Sequence, residues 1–395
     1  MDLGRHDYDV VIAGGGPAGA SAAIHLARHD VRVLLIEQKT FPRPKLCGEF
    51  ISPECRQYFQ RLGVGEAILA AAPALLSQTV FYSRRGQSVN IPSSWFGNGT
   101  ALGLSREVMD NVLLQTAKHA GVNVLENANV TDLLQENGCV RGVRLKTGGR
   151  EFAQTSLLTV DATGRAQTLS RKLSTSKRTA RAKLVAFKAH LENTRVAPGV
   201  CEIYFFPGGY GGLSTVEGEV SNLCFIVSAA AVRRAHSDPE ILLNETVKRN
   251  SRASETLAGA MLSSEWLSVA LESFGRHYPS PTLGLLAIGD SAAFIDPFTG
   301  SGISMALESG ELAAEVFVRL RDKSGNVELA ELSRNYTSAY RRRFDSRFRI
   351  SGLLRRAAFN PKLAEAAIVL TGRSTVLRNR IARATRPTRK FSNAG

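Results

Sequence analysis

The sequence predicts an α/β fold in which a parallel sheet is interrupted by an inserted strand-rich sheet and followed by a helical C-terminal region. Three observations carry this. The N-terminus holds a strand, glycine turn, helix and second strand in succession; residues 181–228 hold strands without intervening helices; and a late apolar strand leads through glycines into a long helix.

In chain order, YDVVIA (8–13) is a short apolar strand bounded by GGGPAG, and Pro17 to His29 reads as a helix with small residues along one face. VRVLLIE (31–37) is a second buried strand by its β-branched and leucine content. QTVFYSRRGQSVN (78–90) departs from the alternation and reads as a hairpin turning near Arg85-Gly86. ALGLSR returns to strand, and Glu107 to Ala120 is an amphipathic helix. Turn signals at Glu136-Asn137-Gly138 and Thr147-Gly148-Gly149 punctuate a meander ending in LLTVDATGR. KLVAFKAHL, CEIYFFP and SNLCFIV are strands separated by Gly and Pro turns; beyond Pro239 helices dominate, apart from the strand LGLLAIGD. This order places residues 1–75, 100–170 and 281–330 in a discontinuous nucleotide-binding domain, 76–99 and 171–280 in a substrate domain, and 331–395 in a basic helical region expected to be separate in character.

Composition narrows the function classes. Hydrophobic residues at 44% and charged residues at 22% supply ample core material, which excludes disorder as the default. No run of about 18 uncharged apolar residues is present, so no spanning helix is expected. The charged MDLGRHDYDV runs straight into a strand and leaves no room for a signal peptide, so the expected location is cytoplasmic. Five scattered cysteines without a Cys-x-x-Cys pair argue against a disulfide framework and a zinc site, and the scattered histidines offer no metal-ligand spacing and read as structural or surface residues.

The net charge of +15 is concentrated: 15 Lys/Arg from Arg341 onward face two acids, leaving the body nearly neutral. That segment lacks a zinc-finger or RNP pattern, which excludes nucleic acid as the expected partner. It reads either as a solvated helical face or as a surface that docks peripherally on anionic lipid at the inner membrane face, with Phe344, Phe348, Leu353, Leu354 and Phe359 as apolar contributors. Oligomeric state is left open.

The chemistry is carried by two motifs. Gly14-x-Gly16-x-x-Gly19 follows a strand and opens a helix, with Ala18 inside the pattern. Gly14 allows the tight turn, Gly16 lets the backbone approach a pyrophosphate, and Gly19 allows close helix–strand packing. Glu37 lies 18 residues beyond Gly19 at a strand end, where a carboxylate accepts ribose hydroxyls and repels a 2′-phosphate, selecting FAD or NAD over NADP. LLAIGDSAAFIDPFTGSGI then puts Asp290 at a strand end and Pro297, Gly300, Gly302 and Ile303 at the start of a helix. An Asp there binds a ribityl chain, and glycines before a helix let N–H groups approach a flavin ring, so the bound nucleotide is expected to be FAD.

With these motifs on the page, the chain resembles the flavoproteins that include p-hydroxybenzoate hydroxylase, flavin-dependent halogenases and geranylgeranyl reductases. The resemblance spans residues 8–325 through GGGPAG with Glu37, VDATGR and GDSAAFIDPFTGSGI. It implies a Rossmann-like FAD-binding domain of glutathione-reductase type and a β-sheet substrate domain over the ring. It places Arg106 near the flavin phosphates or ribityl chain; the residue alone reads equally as an ordinary helix start.

RPKLCGEFIS (43–52) with YFFPGGYGG looks most like the geranylgeranyl reductase branch. That likeness places Cys47 beside the ring, Arg43 and Lys45 toward phosphate, and Tyr204, Phe205, Phe206 and Tyr210 as an uncharged aromatic wall, with Cys47, Tyr204 and Phe206 as catalytic-site candidates. The plain alternatives are a small buried thiol and an aromatic core strand. The halogenase signature Trp-x-Trp-x-Ile-Pro is replaced by IYFFPG, and no lysine lies between Leu46 and Thr116 to serve as a reactive amine. The hydroxylase Asp-Gly pair is replaced by Asp161-Ala162-Thr163-Gly164, which leaves the hydride donor open, with NAD(P)H the candidate.

The expected function is FAD-dependent reduction of a C=C bond in a hydrophobic isoprenoid, polyketide or aromatic substrate. The alternatives are a monooxygenase acting through a C4a-hydroperoxide and a non-enzymatic flavin electron carrier.

Overall fold

The computed structural model describes residues 6–374 apart from 97–98, 174–182, 272–273 and 360. Its first sheet runs in the order Asn123–Leu125, Val33–Ile36, Tyr8–Ala13, Arg150–Asp161, Cys139–Thr147, Ala128–Glu136, and Leu285–Ala287 joins it beside Arg150–Asp161. The pairs around Tyr8–Ala13 are parallel, and the two outer strands of the meander add antiparallel pairs through the two glycine turns the sequence marks. Val10, Ile12, Val33 and Leu35 are buried toward the helical layer, and Val11, Ala13, Leu34 and Ile36 toward the meander, as a period of two requires.

The first helix, Pro17–Ala27, is buried on nearly every side because two layers enclose it: the sheet and the late helix Gly302–Leu320. That second contact is backbone against backbone. A Cβ on Gly310 would sit 2.3 Å from the Ala18 carbonyl oxygen and 2.9 Å from the Ala22 nitrogen. Ser21 Oγ donates to the Leu307 carbonyl at 2.9 Å across this contact, and the late helix is tied in turn to the strand end before it, where the Gly289 amide donates to Ser309 Oγ at 2.8 Å. Two segments nearly 300 residues apart are thereby clamped together.

The second sheet runs Met261–Leu262, Leu184–Glu192, Ser221–Ser228, Gly209–Thr215, Val200–Phe206, Gln78–Tyr82, Ser88–Pro92, with Leu267–Leu271 also paired to Leu184–Glu192. The hairpin expected at 78–90 forms, but it joins the sheet by a parallel pairing of Gln78–Tyr82 with Val200–Phe206. Short helices cover one face, burying Ala231, Leu242, Leu243, Val247 and Ala253 against Phe187, Phe225 and Leu223. The other face looks toward the first sheet.

The C-terminal region is helical, as expected, over Leu329–Ala358 and Pro361–Arg373, but it is not separate in character. Tyr336, Tyr340 and Phe344 are buried in the main core, and Arg347, 2% exposed, donates to Glu308 on the Gly302–Leu320 helix at 2.8 Å. Phe344 therefore has no lipid-facing role. The sequence pattern misleads because Arg347, a charge beside the aromatics, is buried by a carboxylate brought in from another helix. Leu354 and residues 375–395 lie outside the described side chains.

Gly310→Val is predicted to lower stability by about 3 kcal/mol or more, since neither backbone can retreat from the other. A thermal melt unchanged from wild type would show that the helices can part without cost.

Candidate active site

Between the two sheets lies a cavity of about 580 Å³. Its nucleotide end is built by the first strand–turn–helix. Gly14 has φ +110°, and a Cβ there would lie 2.3 Å from the Ala162 carbonyl oxygen, so only glycine fits the crossing of turn and VDATGR loop. A Cβ on Gly19 would meet the Gly14 carbonyl at 1.9 Å, which makes Gly19 a packing residue outside the cavity lining. Gly16 differs: around its missing Cβ only Arg106 Nη2 lies within reach, at 4.0 Å, leaving open space. Glu37 is buried, and its carboxylate accepts from the Gly15 amide at 2.9 Å and the Lys39 amide at 3.0 Å. Each oxygen retains a lone pair for a hydroxyl.

Cations gather above this turn. Lys45, Arg43, Arg106 and Arg165 all line the cavity. Burial, and then Arg43, Arg106 and Arg165, push the Lys45 ammonium below its ordinary range, and burial does the same to Arg165. Arg106 is held by a bidentate bond to buried Asp110 at 2.7 Å, while Arg43 Nη1 is buried 3.4 Å from that carboxylate without making a hydrogen bond. Crowded cations with an orphaned N–H, over a glycine with open space, fit the pyrophosphate of FAD.

The late motif closes this end. Asp161 organises it: its carboxylate accepts from Thr163 Oγ1 at 2.6 Å, Ser170 N at 2.9 Å and Ser291 Oγ at 3.1 Å, locking VDATGR to GDS. Asp290, Pro297, Gly300, Gly302 and Ile303 all line the cavity with Ala18. Burial raises the Asp290 carboxyl above its ordinary range, and Arg165, Arg106 and Lys45 oppose that rise. Gly300 has φ +61° and turns the chain into the Gly302–Leu320 helix, whose N-terminal amides face the cavity.

Cys47 lines the cavity where the two sheets meet. Its loop is pinned to the second sheet from below. Glu49, fully buried with φ +54°, pairs with Lys188 Nζ and with His190 Nε2 at 2.6 Å, and accepts from the Arg106 amide at 2.9 Å. Burial works against the Glu49 charge, yet His190 and Lys188 hold its carboxyl below the ordinary range. Asn222 Nδ2 donates to the Cys47 carbonyl at 3.1 Å, and the Cys47 Sγ accepts from the Glu49 amide at 3.4 Å.

The aromatic wall is corrected. Phe205 and Tyr210 line the cavity, but Tyr204 and Phe206 point through the sheet into the helix-covered core with Phe187 and Phe225. Adjacent residues of a strand face opposite sides, and here both sides are buried, so hydrophobicity alone could not separate them. Tyr204 donates instead to buried Glu202 at 2.5 Å. Tyr204 and Phe206 are therefore not cavity-lining residues. The wall is completed by Ile203, Phe81, Ile226, Leu271 and, from the C-terminal helix, Ile368.

Sequence reading passes over Lys188 and takes His190 only as one of the structural or surface histidines. Both alternate with the core-facing Phe187 and Ala189 on one strand, a legible signal, but their partner Glu49 is 139 residues away from Lys188. Arg165 sits inside the quoted VDATGR motif, and Ile368 gave no signal beyond helix periodicity.

The family model described as FAD binding domain matches residues 7–322. A digeranylgeranylglycerophospholipid reductase of Methanosarcina mazei is 26% identical over 347 residues, covering 85% of this chain and 81% of the relative. A geranylgeranyl bacteriochlorophyll reductase-like protein of Thermoplasma acidophilum superposes with TM-score 0.80 at 21% identity, covering 95% of each chain. A flavin-dependent brominase superposes with TM-score 0.79 at 24% identity, covering 96% of this chain and 93% of that one. The two structural likenesses establish the fold.

Gly16→Val is predicted to fold but to bind FAD at least about tenfold more weakly, because the side chain enters the open space over the turn. Asp290→Ala should weaken retention as well. Absorbance of the purified variants measures this, and full flavin content in both would refute the cradle.

Proposed function

The chain belongs to the FAD-binding-domain family and is an FAD-dependent oxidoreductase, and from that premise we propose that it reduces C=C bonds of an isoprenoid lipid. The observation that carries the reading is the continuity of one cavity from the nucleotide cradle into an apolar chamber walled by Phe205, Ile226, Leu271 and Ile368. Such a chamber rewards burial of a hydrocarbon chain by about 25 cal/mol per Å² and offers a sugar or amino acid few partners. The relatives that carry the name digeranylgeranylglycerophospholipid reductase supply the substrate class.

In this reading bound FAD supplies hydride when reduced. Lys45, Arg43, Arg106 and Arg165 would hold its phosphates, Glu37 and Asp290 would accept its hydroxyls, and the Gly302–Leu320 helix N-terminus would favour negative charge on its ring. The Glu49 clasp holds Cys47 at the junction of cradle and chamber, and the aromatic wall excludes water from the reacting carbons. The division of the chain into a discontinuous FAD-binding domain and a substrate domain belongs to the same proposal.

Substrate access is the finer part. No helix of the described residues is long and apolar enough to cross a membrane. Ile368 turns inward to the chamber, whereas Leu353, Leu363 and Leu370 on the same two helices are more than half exposed, in a stretch of sequence rich in Lys and Arg. We propose that this face adsorbs on anionic lipid and brings the chamber mouth to its substrate, each nearby Lys or Arg contributing at most about 1 kcal/mol.

Two experiments test these readings. Dithionite-reduced protein incubated without oxygen should convert digeranylgeranylglycerophospholipid to products heavier by two hydrogens per reduced bond. Product that appears only with oxygen and carries an added oxygen atom would move the chain to the monooxygenase alternative. Co-sedimentation with anionic vesicles should be strong at low salt, fall at high salt, and weaken in a Leu353→Glu, Leu370→Glu variant. Equal sedimentation of variant and wild type would dismiss the lipid-facing surface.

A further inference from the structure

The chamber wall holds one phenol joined to a buried carboxyl. Tyr210, 5% exposed, donates to Asp296 Oδ1 at 2.5 Å, and the Phe298 amide donates to both, at 3.1 and 3.0 Å. Asp296 is 2% exposed, and its Oδ2 is buried without a hydrogen-bond partner, 4.0 Å from Arg355 Nε. Such an arrangement costs an ionised carboxylate dearly and suits a neutral acid. Burial accordingly raises the Asp296 carboxyl above its ordinary range, with the Tyr210 hydrogen bond and Arg355 opposing.

Position adds to chemistry. Tyr210 meets Phe298 edge to face, with ring centroids 5.5 Å apart, and Phe298 belongs to the turn that ends in Gly300 at the helix N-terminus. The phenol therefore stands between the ring-binding turn and the apolar wall of Phe205, Ile226 and Ile368. The other acids on this side of the lining are thiols. Burial pushes Cys201 and Cys224 up to about 12 and raises the Tyr210 phenol well above its ordinary range as well, so what sets Tyr210 apart is its carboxyl partner: neither thiol is hydrogen-bonded to a carboxyl among the described residues.

Resting on the reading that the enzyme reduces a C=C bond, we propose that Tyr210 is the acid that protonates the substrate carbon and that Asp296 reloads it. With Asp296 protonated, its O–H donates to Tyr210 Oη and frees the phenol proton to face the chamber. The alkene then takes hydride from reduced FAD at one carbon and the Tyr210 proton at the other. Two C–H bonds form while the C=C π bond, the phenol O–H bond and the bond that held the hydride on the reduced cofactor break; the alkene gains two electrons and the cofactor loses two. The phenolate recovers its proton from the Asp296 carboxyl, which is refilled from solvent on the Arg355 side, where that side chain is one-third exposed.

Tyr210→Phe keeps the ring, and Asp296→Asn keeps an acceptor for the Phe298 amide. Both should retain FAD and accept electrons from dithionite as wild type does. With digeranylgeranylglycerophospholipid as the probe, kcat should fall about 100-fold or more while KM changes little. The pair acts as a unit, so the double variant should be no slower than either single one. Wild-type kcat should fall as pH rises through the raised Asp296 pKa, since only the acid form can reload the phenol, and that limb should vanish in Asp296→Asn. The groups facing Asp296 are the Tyr210 phenol from the sheet and Arg355 from the Leu329–Ala358 helix.

Infrared spectra of the substrate-free holoprotein supply a readout independent of turnover. A protonated-carboxyl band should be present, lost in Asp296→Asn and displaced in Tyr210→Phe. With wild type active, both variants turning over as fast as wild type, or the absence of such a band, overturns the acid assignment alone. Wild type that reduces no isoprenoid probe overturns the functional reading and this inference with it.

Discussion

The contact on which the rest depends is the one between the Pro17–Ala27 and Gly302–Leu320 helices. With Gly310 against the Ala18 carbonyl at 2.3 Å from a would-be Cβ, the helices touch through their backbones. That closeness lets the turn of Gly14–Gly19 and the turn of Pro297–Gly302 line one cavity from opposite sides. A separation of even one side-chain layer would leave two half-sites. The Ser21 bond to the Leu307 carbonyl orients the contact but could not create it, since it contributes on the order of 1 kcal/mol.

A second constraint ties the second sheet to the nucleotide end. Glu49 binds Lys188 and His190 from one strand and the Arg106 amide from the helix that positions Arg106. A buried carboxylate with three partners is stable only while all are present, so this clasp works as a register pin more than as a source of net stability. It sets the height of Cys47 over the sheet. Arg347 and Glu308 do the corresponding work for the C-terminal helices, which bring Ile368 over the chamber.

Electrostatics divides the cavity into two media. The cradle end concentrates Lys45, Arg43, Arg106 and Arg165, and burial already depresses Lys45 and Arg165, so a bound pyrophosphate would relieve repulsion as well as gain attraction. The chamber end is apolar, and its buried acids rise instead: Asp296 and the thiols of Cys201 and Cys224. Between them lies the junction of Cys47, Phe298 and Gly300, where a reacting ring would meet both media.

The sequence by itself determined the first β-α-β unit, the glycine fingerprint with Glu37, and the late strand–turn–helix carrying Asp290 and Gly300–Ile303. These signals are local, because a turn that only glycine fits or a strand of branched residues is dictated by near neighbours. Cys47 and Arg106 were read from the resemblance and do line the cavity. Only the tertiary structure decided which aromatics face it. Tyr204 and Phe206 alternate with Phe205 on a strand buried on both sides, so no hydrophobic pattern distinguished wall from core. It also decided that the basic C-terminal region belongs to the body, because Arg347 is tolerable inside only where Glu308 meets it. Tyr210 and Asp296, 86 residues apart, became one hydrogen-bonded pair for the same reason: a buried charge or proton is defined by the partner the fold brings, and that partner is written elsewhere in the chain.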